Sequence, residues 1–538
     1  MEIKVLFDNE ARQALYKGVQ EITKAVASTL GPLGHTVIID KAYGIPHVTK
    51  DGVTVARAFD TNDPIASMGA TLVKIVAAKT CDEAGDGTTT ATVLTESLLR
   101  HGIEKLPMVK NPQEFKRGME HACEKAVELF NFLAKEIDPN EWNRLKEVAT
   151  ISANGDEAIG DIITQAISQV GNDGVITVEE GSSNSNGMSI DVTTGFQWEK
   201  GLVNPYFVTD PERIECEMTN PYVLVVGQKI NYPNEIVSVL QTVHTSQRAL
   251  VIIAPDMSND CMGWLVKNVQ NGVRVVFAKA PSFGQIQKDM IQDLAIKLGA
   301  KNVCQDSGYT LDQLGTDWLG ECDKIIISTN RTIIVGGKGK PEEIEARVKA
   351  IKSQIEESSN AFDKEKYRDR LSKLTGGAAT IHVGATSEVE LKERKDRVDD
   401  AIAATRAALD EGYVPGGGSV QYLASKLLLK EIETSYDKPN YRFGMEVVAE
   451  ALKEPLRQLC KNAGINPDKA EAMMDVRDEK LEWMKGIDPM TGQLVDFFEK
   501  GVIDPVKVSR LALQNAVSVA IQFLNTSCVM AQPEKDTK

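Results

Sequence analysis

The chain has 538 residues, more than one hydrophobic core usually supports, so its length predicts two to four domains. Hydrophobic residues make up 42% of it, enough for real cores, yet no run nears the ~18 apolar residues that would cross a bilayer, which excludes a membrane partner through a spanning segment. Lys and Arg total 61 against 77 Asp and Glu, and the net charge of −16 disfavours nucleic acid as a partner.

In chain order, Met1 to Val5 run straight into a helical pattern that shows neither a signal core nor a transit segment. Leu15, Val19, Ile22 and Val26 form one apolar stripe, predicting a helix from Asn9 to about Thr29 that Gly31-Pro32 stops. A β-like stretch from Thr36 to Asp40 leads through Gly44-Ile45-Pro46 to Lys50-Asp51-Gly52, and helical patterns follow from about Pro64 to Thr80 and Thr88 to His101. Between about 175 and 380 the texture changes to β-rich runs, at 174–178, 222–226, 249–254, 273–278 and 324–328, alternating with helices near 234–245 and 257–270. A charged helical stretch from Lys340 to Lys373, Thr375-Gly376-Gly377 and a further β-like run close this part, and from Leu391 the chain is again mainly helical. The helical ends therefore flank an α/β domain that reads as inserted. Gly195 on the way in, Gly376 and Gly377 on the way out, and Gly412 beyond them stand where hinges or plain turns would be.

The eight cysteines are scattered without a C-x-x-C, and the six histidines form no H-E-x-x-H. This argues against a zinc site and for reduced thiols in a cytoplasmic or equivalent reducing compartment.

Chemistry concentrates in Ala84-Gly85-Asp86-Gly87-Thr88-Thr89-Thr90-Ala91-Thr92-Val93. Two glycines free the backbone to approach a ligand, and the hydroxyl residues open a helix whose unsatisfied N–H groups suit a phosphate. Asp86 inside that turn suits Mg²⁺, which on a nucleotide usually takes one or two protein carboxylates. Taken alone, the string is also an ordinary capped helix start. Neither G-x-x-x-x-G-K-[ST] nor a G-x-G-x-x-G opening a helix after a strand occurs. Further on, Val398, Ile402, Thr405 and Leu409 share one helix face, and Asp400 points about 200° away from Val398, towards a ligand or simply towards solvent. Gly416-Gly417-Gly418 follows that helix, and Thr29-Leu30-Gly31-Pro32 is a third candidate turn.

Together with Thr150-Ile151-Ser152-Ala153-Asn154, Ala404-Thr405-Arg406-Ala407-Ala408 and Ile503-Asp504-Pro505, these segments resemble the group I (GroEL-like) chaperonins, in family order and near-family spacing from residue 1 to about 530. The resemblance implies a multidomain chaperonin fold: a mainly α-helical equatorial ATP-binding domain (1–134 and 411–538), a small α+β intermediate domain (135–193 and 379–410) and an α/β apical client-binding domain (194–378). It implies an ATPase that forms a ring, captures non-native proteins on apolar apical surfaces and promotes their folding. Thr29, Leu30, Gly31, Pro32, Lys50, Asp86, Gly87, Thr88, Thr89, Thr90, Ile151, Gly417, Asp488 and Asp504 would surround the nucleotide. Asp86 would hold Mg²⁺, Asp51 would lie near the γ-phosphate and Asp400 would orient or deprotonate the attacking water; K⁺ beside the phosphates is left open.

Client binding is implied for Leu202, Tyr206, Phe207, Val237, Leu240, Met262 and Val266. Independently, Ile236, Val237, Val239, Leu240 and Val243 span about 160° of one helix, wider than a core stripe needs, so part of that arc is expected to face solvent. Leu202 stands where the family commonly has tyrosine and Lys267 where it has valine. The Gly-Gly-Met tail is absent, the chain ending Gln532 to Lys538. Asn466, Asp468 and Lys469 bring charge to the region of ring-to-ring contact, so a single seven-membered ring stands beside the usual back-to-back pair. Need for a co-chaperonin lid is open. The alternative of another class is a chaperonin-shaped holdase or assembly scaffold without turnover. A small-molecule phosphotransferase would require a second substrate pocket, for which the sequence offers no candidate.

Overall fold

The computed structural model describes residues 4–531 apart from 41–45, 139–140, 172–174, 181–186, 212, 302–315, 359, 436–437 and 477–482. The turn at Gly44-Ile45, Cys304 and the tail from Gln532 lie outside the described residues. Backbone contacts divide the chain into two compact units: Met1–Thr164 with Glu180–Met188 and Val383–Lys538, and Gln165–Glu179 with Ser189–His382. The second unit is thus inserted into the first, as the change of texture predicts.

The first unit is mainly helical. Its N-terminal part runs β1 (Lys4–Phe7), α1 (Asp8–Ala27), β2 (Val37–Ile39), β3 (His47–Thr49), α2 (Gly52–Ala58), α3 (Pro64–Ala84), α4 (Thr88–Lys105), α5 (Pro112–Leu133), α6 (Trp142–Ser152) and α7 (Glu157–Val170), which continues into the second unit. The inserted unit runs β4 (Val175–Glu180), β5 (Met188–Trp198), β6 (Cys216–Thr219), β7 (Tyr222–Val225), α8 (Asn234–Thr245), β8 (Leu250–Ala254), α9 (Asn259–Gln270), β9 (Val275–Lys279), α10 (Gly284–Leu298), β10 (Gly320–Glu321), β11 (Lys324–Ile327), β12 (Thr332–Val335), α11 (Pro341–Glu357), α12 (Ala361–Thr375) and β13 (Gly377–Val383). The first unit resumes with α13 (Glu388–Glu411), β14 (Tyr413–Pro415), α14 (Ser419–Ser435), α15 (Pro439–Ala451), α16 (Glu454–Asn462), α17 (Pro467–Val476), β15 (Lys485–Asp488), β16 (Gln493–Asp496), α18 (Phe497–Lys500), β17 (Ile503–Pro505), α19 (Val506–Leu524) and β18 (Cys528–Ala531).

One core joins α1, α3, α4, α5, α14, α15 and α19, and the predicted stripe of Leu15, Val19, Ile22 and Val26 is buried in it. Helix starts follow ordinary capping chemistry: Asp51, Asp63 and Asn111 each accept two backbone N–H groups at the first turns of α2, α3 and α5. The extreme N-terminus departs from expectation. Residues 4–7 form a strand antiparallel to β18, with Lys4 opposite Ala531 and Phe7 opposite Cys528, because a partner more than 500 residues away supplies the ladder that local periodicity cannot show.

The second unit holds two sheets, one four-stranded in the order β10-β7-β8-β9 and one six-stranded in the order β4-β13-β5-β12-β11-β6. Strands β7, β8 and β9 are parallel neighbours with helical crossovers α8 and α9, and their near-continuous apolar sequence fits a sheet buried on both faces. The charged helical stretch is made of two helices, α11 and α12, with Ser358 in extended conformation between them.

A buried ionic cluster holds α10, α11 and α12 together. Asp293, 1% exposed, receives Arg347 Nε at 2.6 Å and Arg370 Nε at 2.8 Å, and Arg370 also reaches Asp289 at 3.1 Å. Removing the shared carboxylate leaves the buried Arg370 with Asp289 alone and takes the Asp293 partner from Arg347. Asp293→Ala is expected to destabilise the second unit by about 3–5 kcal/mol. At Asp289, which is more open to solvent, the same change should cost about 1 kcal/mol or less. Urea midpoints of the two variants, compared by a signal from this unit, check the contrast.

Candidate functional site

The turn between α3 and α4 sets the site. Gly85 ends α3 in the left-handed region at φ 74° and Gly87 opens α4 at φ 81°, conformations in which L side chains are strained. A Cβ on Gly85 would also stand 2.1 Å from Ala403 Cβ, so the turn abuts α13 one helical turn beyond Asp400. No side chain caps α4. The N–H groups of Thr88, Thr89 and Thr90 thus face outwards at the positive end of the helix.

A second helix N-terminus converges on the first. Asp51 caps α2 by accepting Val53 N–H at 3.0 Å and Thr54 N–H at 2.8 Å, and its own N–H donates to Thr49 Oγ1 at 3.0 Å. A Cβ on Gly52 would meet Thr89 Oγ1 at 2.1 Å, so only glycine lets α2 and α4 approach this closely. Thr29 Oγ1 lies 3.5 Å from Thr89 Oγ1, which brings the Thr29-Leu30-Gly31-Pro32 turn to the same place. Lys50, half-buried, leads into Asp51.

Four carboxylates gather here. Asp86 accepts the N–H of Gly87 on Oδ1 and the hydroxyl of Ser152 on Oδ2 at 2.8 Å. Burial raises its pKa above the ordinary carboxylate value, Gly87 and Ser152 pull it down, and Asp51 pushes it up again. Asp400 is raised well above that value by burial first, then by Asp51, Asp86, Asp396 and Asp399. Asp504 rises to about 7 through burial and the charge of Asp86, against one hydrogen bond from the Gly417 N–H. Asp86, Asp400 and Asp504 all keep some solvent contact although protein surrounds them, as groups lining a cleft do.

On the expected face of α13, Val398 and Thr405 are fully buried, Ile402 nearly so and Leu409 half-buried, while Asp400, off that face, is also half-buried. Asp504 stands on β17 opposite Val414 of β14, which carries Gly416 and Gly417 to its carboxylate. Phe497 packs against Gly417 and Gly486, linking the β15-β16 hairpin to that corner, although the carboxylate of Asp488 is taken up by the hairpin itself, with Met490 N–H at 2.8 Å and Thr491 Oγ1 at 3.0 Å. Ile151 is exposed on the last turn of α6, beside Ser152.

Residue typing alone misses three groups. Ser152 lies within a quoted motif but shows its role only through its bond to Asp86. Cys81 has its thiol pushed up to about 12 by burial, then Asp400 and Asp51. Asn462 supports the Thr29–Pro32 turn from beneath.

The expected client residues of the second unit divide. Tyr206 is 61% exposed, and Leu202, Val237, Met262 and Val266 are half-buried. Phe207 and Leu240 are a correction: at 2% and 5% exposure both belong to the core built on β7, β8 and β9. The wide arc of α8 is mostly buried, with Ile236, Val239, Leu240 and Val243 in that core, and the part that reaches the surface is Val237. Of the expected hinges, Gly195 is no turn: it lies within β5 opposite Val335, and its N–H donates to Gly376 O at 3.3 Å. Gly377 starts β13. Gly412 ends α13 at φ 78° in the first unit, where a Cβ would stand 2.5 Å from Lys135 O.

Comparison with known proteins agrees with this architecture. The fold is similar over 99% of both chains to that of the chaperonin gp146 from bacteriophage EL 2 (Pseudomonas aeruginosa), solved in the presence of ATP-BeFx, with a TM-score of 0.71 at 23% sequence identity. Residues 22–534 match the model of the TCP-1/cpn60 chaperonin family, and with nearly the whole length covered, the chain belongs to that family.

Proposed function

We propose that this chaperonin is an ATP-driven folding chaperone whose nucleotide site is the carboxylate-lined convergence of α2, α4 and the Thr29–Pro32 turn. The observation that carries the reading is the gathering of Asp51, Asp86 and Asp400 around two helix N-termini inside one compact unit. Helix N-termini attract phosphate, while clustered carboxylates repel it unless a cation intervenes. Asp86, flanked by other acids, fits Mg²⁺ bound together with phosphate oxygens, with Asp51 nearby. That ion would supply charge neutralisation between β- and γ-phosphates.

In this reading the N–H groups of Gly87 to Thr90, the turn at Thr29, Leu30, Gly31 and Pro32, and Lys50 cradle the phosphates. Gly417, Ile151, Asp488 and Asp504 surround the ribose and base. Asp400 holds the attacking water and takes its proton, a task that suits a carboxyl whose basicity has been raised. K⁺ is a further candidate beside the phosphates. Clients are non-native proteins bound on the second unit at Leu202, Tyr206, Val237, Met262 and Val266, with Phe207 and Leu240 as the packed base beneath. The working assembly is a homo-oligomeric ring of seven, single or double and with or without a lid, in a reducing compartment such as the cytoplasm. Within each subunit the equatorial, intermediate and apical division is kept as proposed from sequence, with Gly195, Gly376, Gly377 and Gly412 as the hinge positions.

Loss of a general base typically costs about 10²- to 10⁴-fold in rate. Asp400→Ala is therefore expected to reduce steady-state ATP hydrolysis by about that factor while Mg-ATP still binds by calorimetry. Light scattering on both proteins should show a ring of about 410 kDa or about 820 kDa, for seven or fourteen subunits of 58.8 kDa. Equal turnover in the variant removes Asp400 from the mechanism, and a wild type without turnover favours the passive scaffold.

Asp504 yields a pH prediction. Its carboxyl holds a proton up to about pH 7 in the folded chain, whereas an unfolded aspartate releases it near 3.8. The folded state binds more protons between these values, so the contribution to stability is present below about pH 4 and is lost as pH rises through about 7. In the nucleotide-free protein, Asp504→Asn should flatten the decline of the denaturant midpoint between pH 5 and 8. An unchanged slope would mean that Asp504 is already ionised at pH 5.

A further inference from the structure

Three side chains from the C-terminal end of α16 form a platform under the Thr29–Pro32 turn. Asn462 donates its Nδ2 to the carbonyl oxygens of Ala27 and Leu30, both at 2.9 Å. Gln458 donates its Nε2 to Asn462 Oδ1 at 2.8 Å, which fixes the orientation of that amide, and reaches Ala27 O at 3.3 Å. Leu459 fills the space below Gly31: its Cδ2 lies 2.2 Å from where a Cβ on Gly31 would stand. The carbonyls at the end of a helix have no partner within it, so the position of this turn is set by whatever accepts the task of satisfying them. Here Ala27 O accepts the Leu30 N–H from within the turn at 3.2 Å, and α16 adds the Asn462 bonds to Ala27 O and to Leu30 O.

The same helix is also tied to α4. Glu454, 6% exposed, receives Arg100 of α4 at 2.7 Å and Lys461 at 2.7 Å. One short helix therefore holds both segments that the proposed site uses for phosphate, the turn at its C-terminal end and α4 through its N-terminal end. The side-chain amide of Asn462 is spent on Ala27, Leu30 and Gln458, so its influence on the site passes through the turn.

We propose that Asn462 is the positioning residue of the phosphate-binding turn, its amide holding Thr29–Pro32 at the height where they meet the N-terminus of α4. This rests on the nucleotide reading above. It separates binding from chemistry: the turn grips phosphate, whereas Asp400 stands on a different helix and acts on water.

The test compares wild type, Asn462→Asp and Asn462→Ser in Mg-ATP titration calorimetry and steady-state hydrolysis, with ring mass and urea midpoint measured alongside. Aspartate keeps the size and the oxygen that Gln458 binds but turns an acceptor towards two carbonyls. Loss of those bonds is expected to raise KM and the calorimetric Kd about ten-fold, with kcat within about two-fold. Serine, too short to reach the two carbonyls but adding no acceptor against them, should fall between. An unchanged KM in an intact Asn462→Asp ring, or a fall in kcat alone, overturns the proposal. If Asn462→Asp does not assemble, Gln458→Ala, which frees the amide without adding charge, should still raise KM about three-fold, and no rise refutes it. A wild type that fails to bind Mg-ATP sinks the nucleotide reading itself, an outcome separable from a variant that binds as wild type does.

Discussion

Like charges drawn together at low solvent exposure dominate this molecule's first unit. Asp51 raises the proton affinity of Asp86, both raise that of Asp400, and Asp86 raises that of Asp504, while burial is the larger cause at all three. Such a cluster opposes folding unless its charge is titrated away or compensated. Local compensation is visible where helix geometry supplies it: Asp51 takes two N–H groups at the start of α2, and Asp86 takes one N–H and one hydroxyl. Asp400 sits on the open face of a helix interior, where helix N–H groups are already used. Its charge is compensated only by protonation or by an added cation.

Small residues make this gathering sterically feasible. Gly52 lets the α2 and α4 termini touch, Gly85 lets the turn reach Ala403, and Gly416 clears the carboxylate of Asp504. Each is a close approach between elements distant in sequence: a methyl group at Gly85 would meet the Cβ of Ala403, which cannot turn away, whereas at Gly52 and Gly416 it would displace the Thr89 hydroxyl and the Asp504 carboxylate. The carboxylates keep their spacing because the backbones beneath them cannot drift apart in a core packed at crystal density.

Much of this was legible in the sequence wherever a rule is local. The 3.6-residue period placed Asp400 off the buried face of its helix, and the glycines around Asp86 announced a tight turn opening a helix. Family resemblance added Asp51 and Asp504, which composition would have left as ordinary acids. What escaped depends on distant partners. Ser152 finds Asp86 across 66 positions and Asn462 finds Leu30 across 432. Neither pairing leaves a periodic trace. The arc on α8 shows how far a local pattern reaches. An apolar width of about 160° reads as partly exposed when a helix has one buried side, but α8 packs into a core with β7, β8 and β9 that takes up all of that width except Val237.

The two strands that carry the glycines of the inserted unit constrain any hinge there. Gly195 lies within β5 and Gly376 immediately precedes β13, and these strands are neighbours in the six-stranded sheet, joined at the glycines by the Gly195 N–H to Gly376 O bond. A rotation at one position alone would break that bond and strand a sheet N–H, at a cost comparable to a lost hydrogen bond, about 1 kcal/mol or more. A rotation at both together keeps it. Placing the outgoing strand beside the incoming one thus ties the two positions together, and any bending there would move the two strands as one piece.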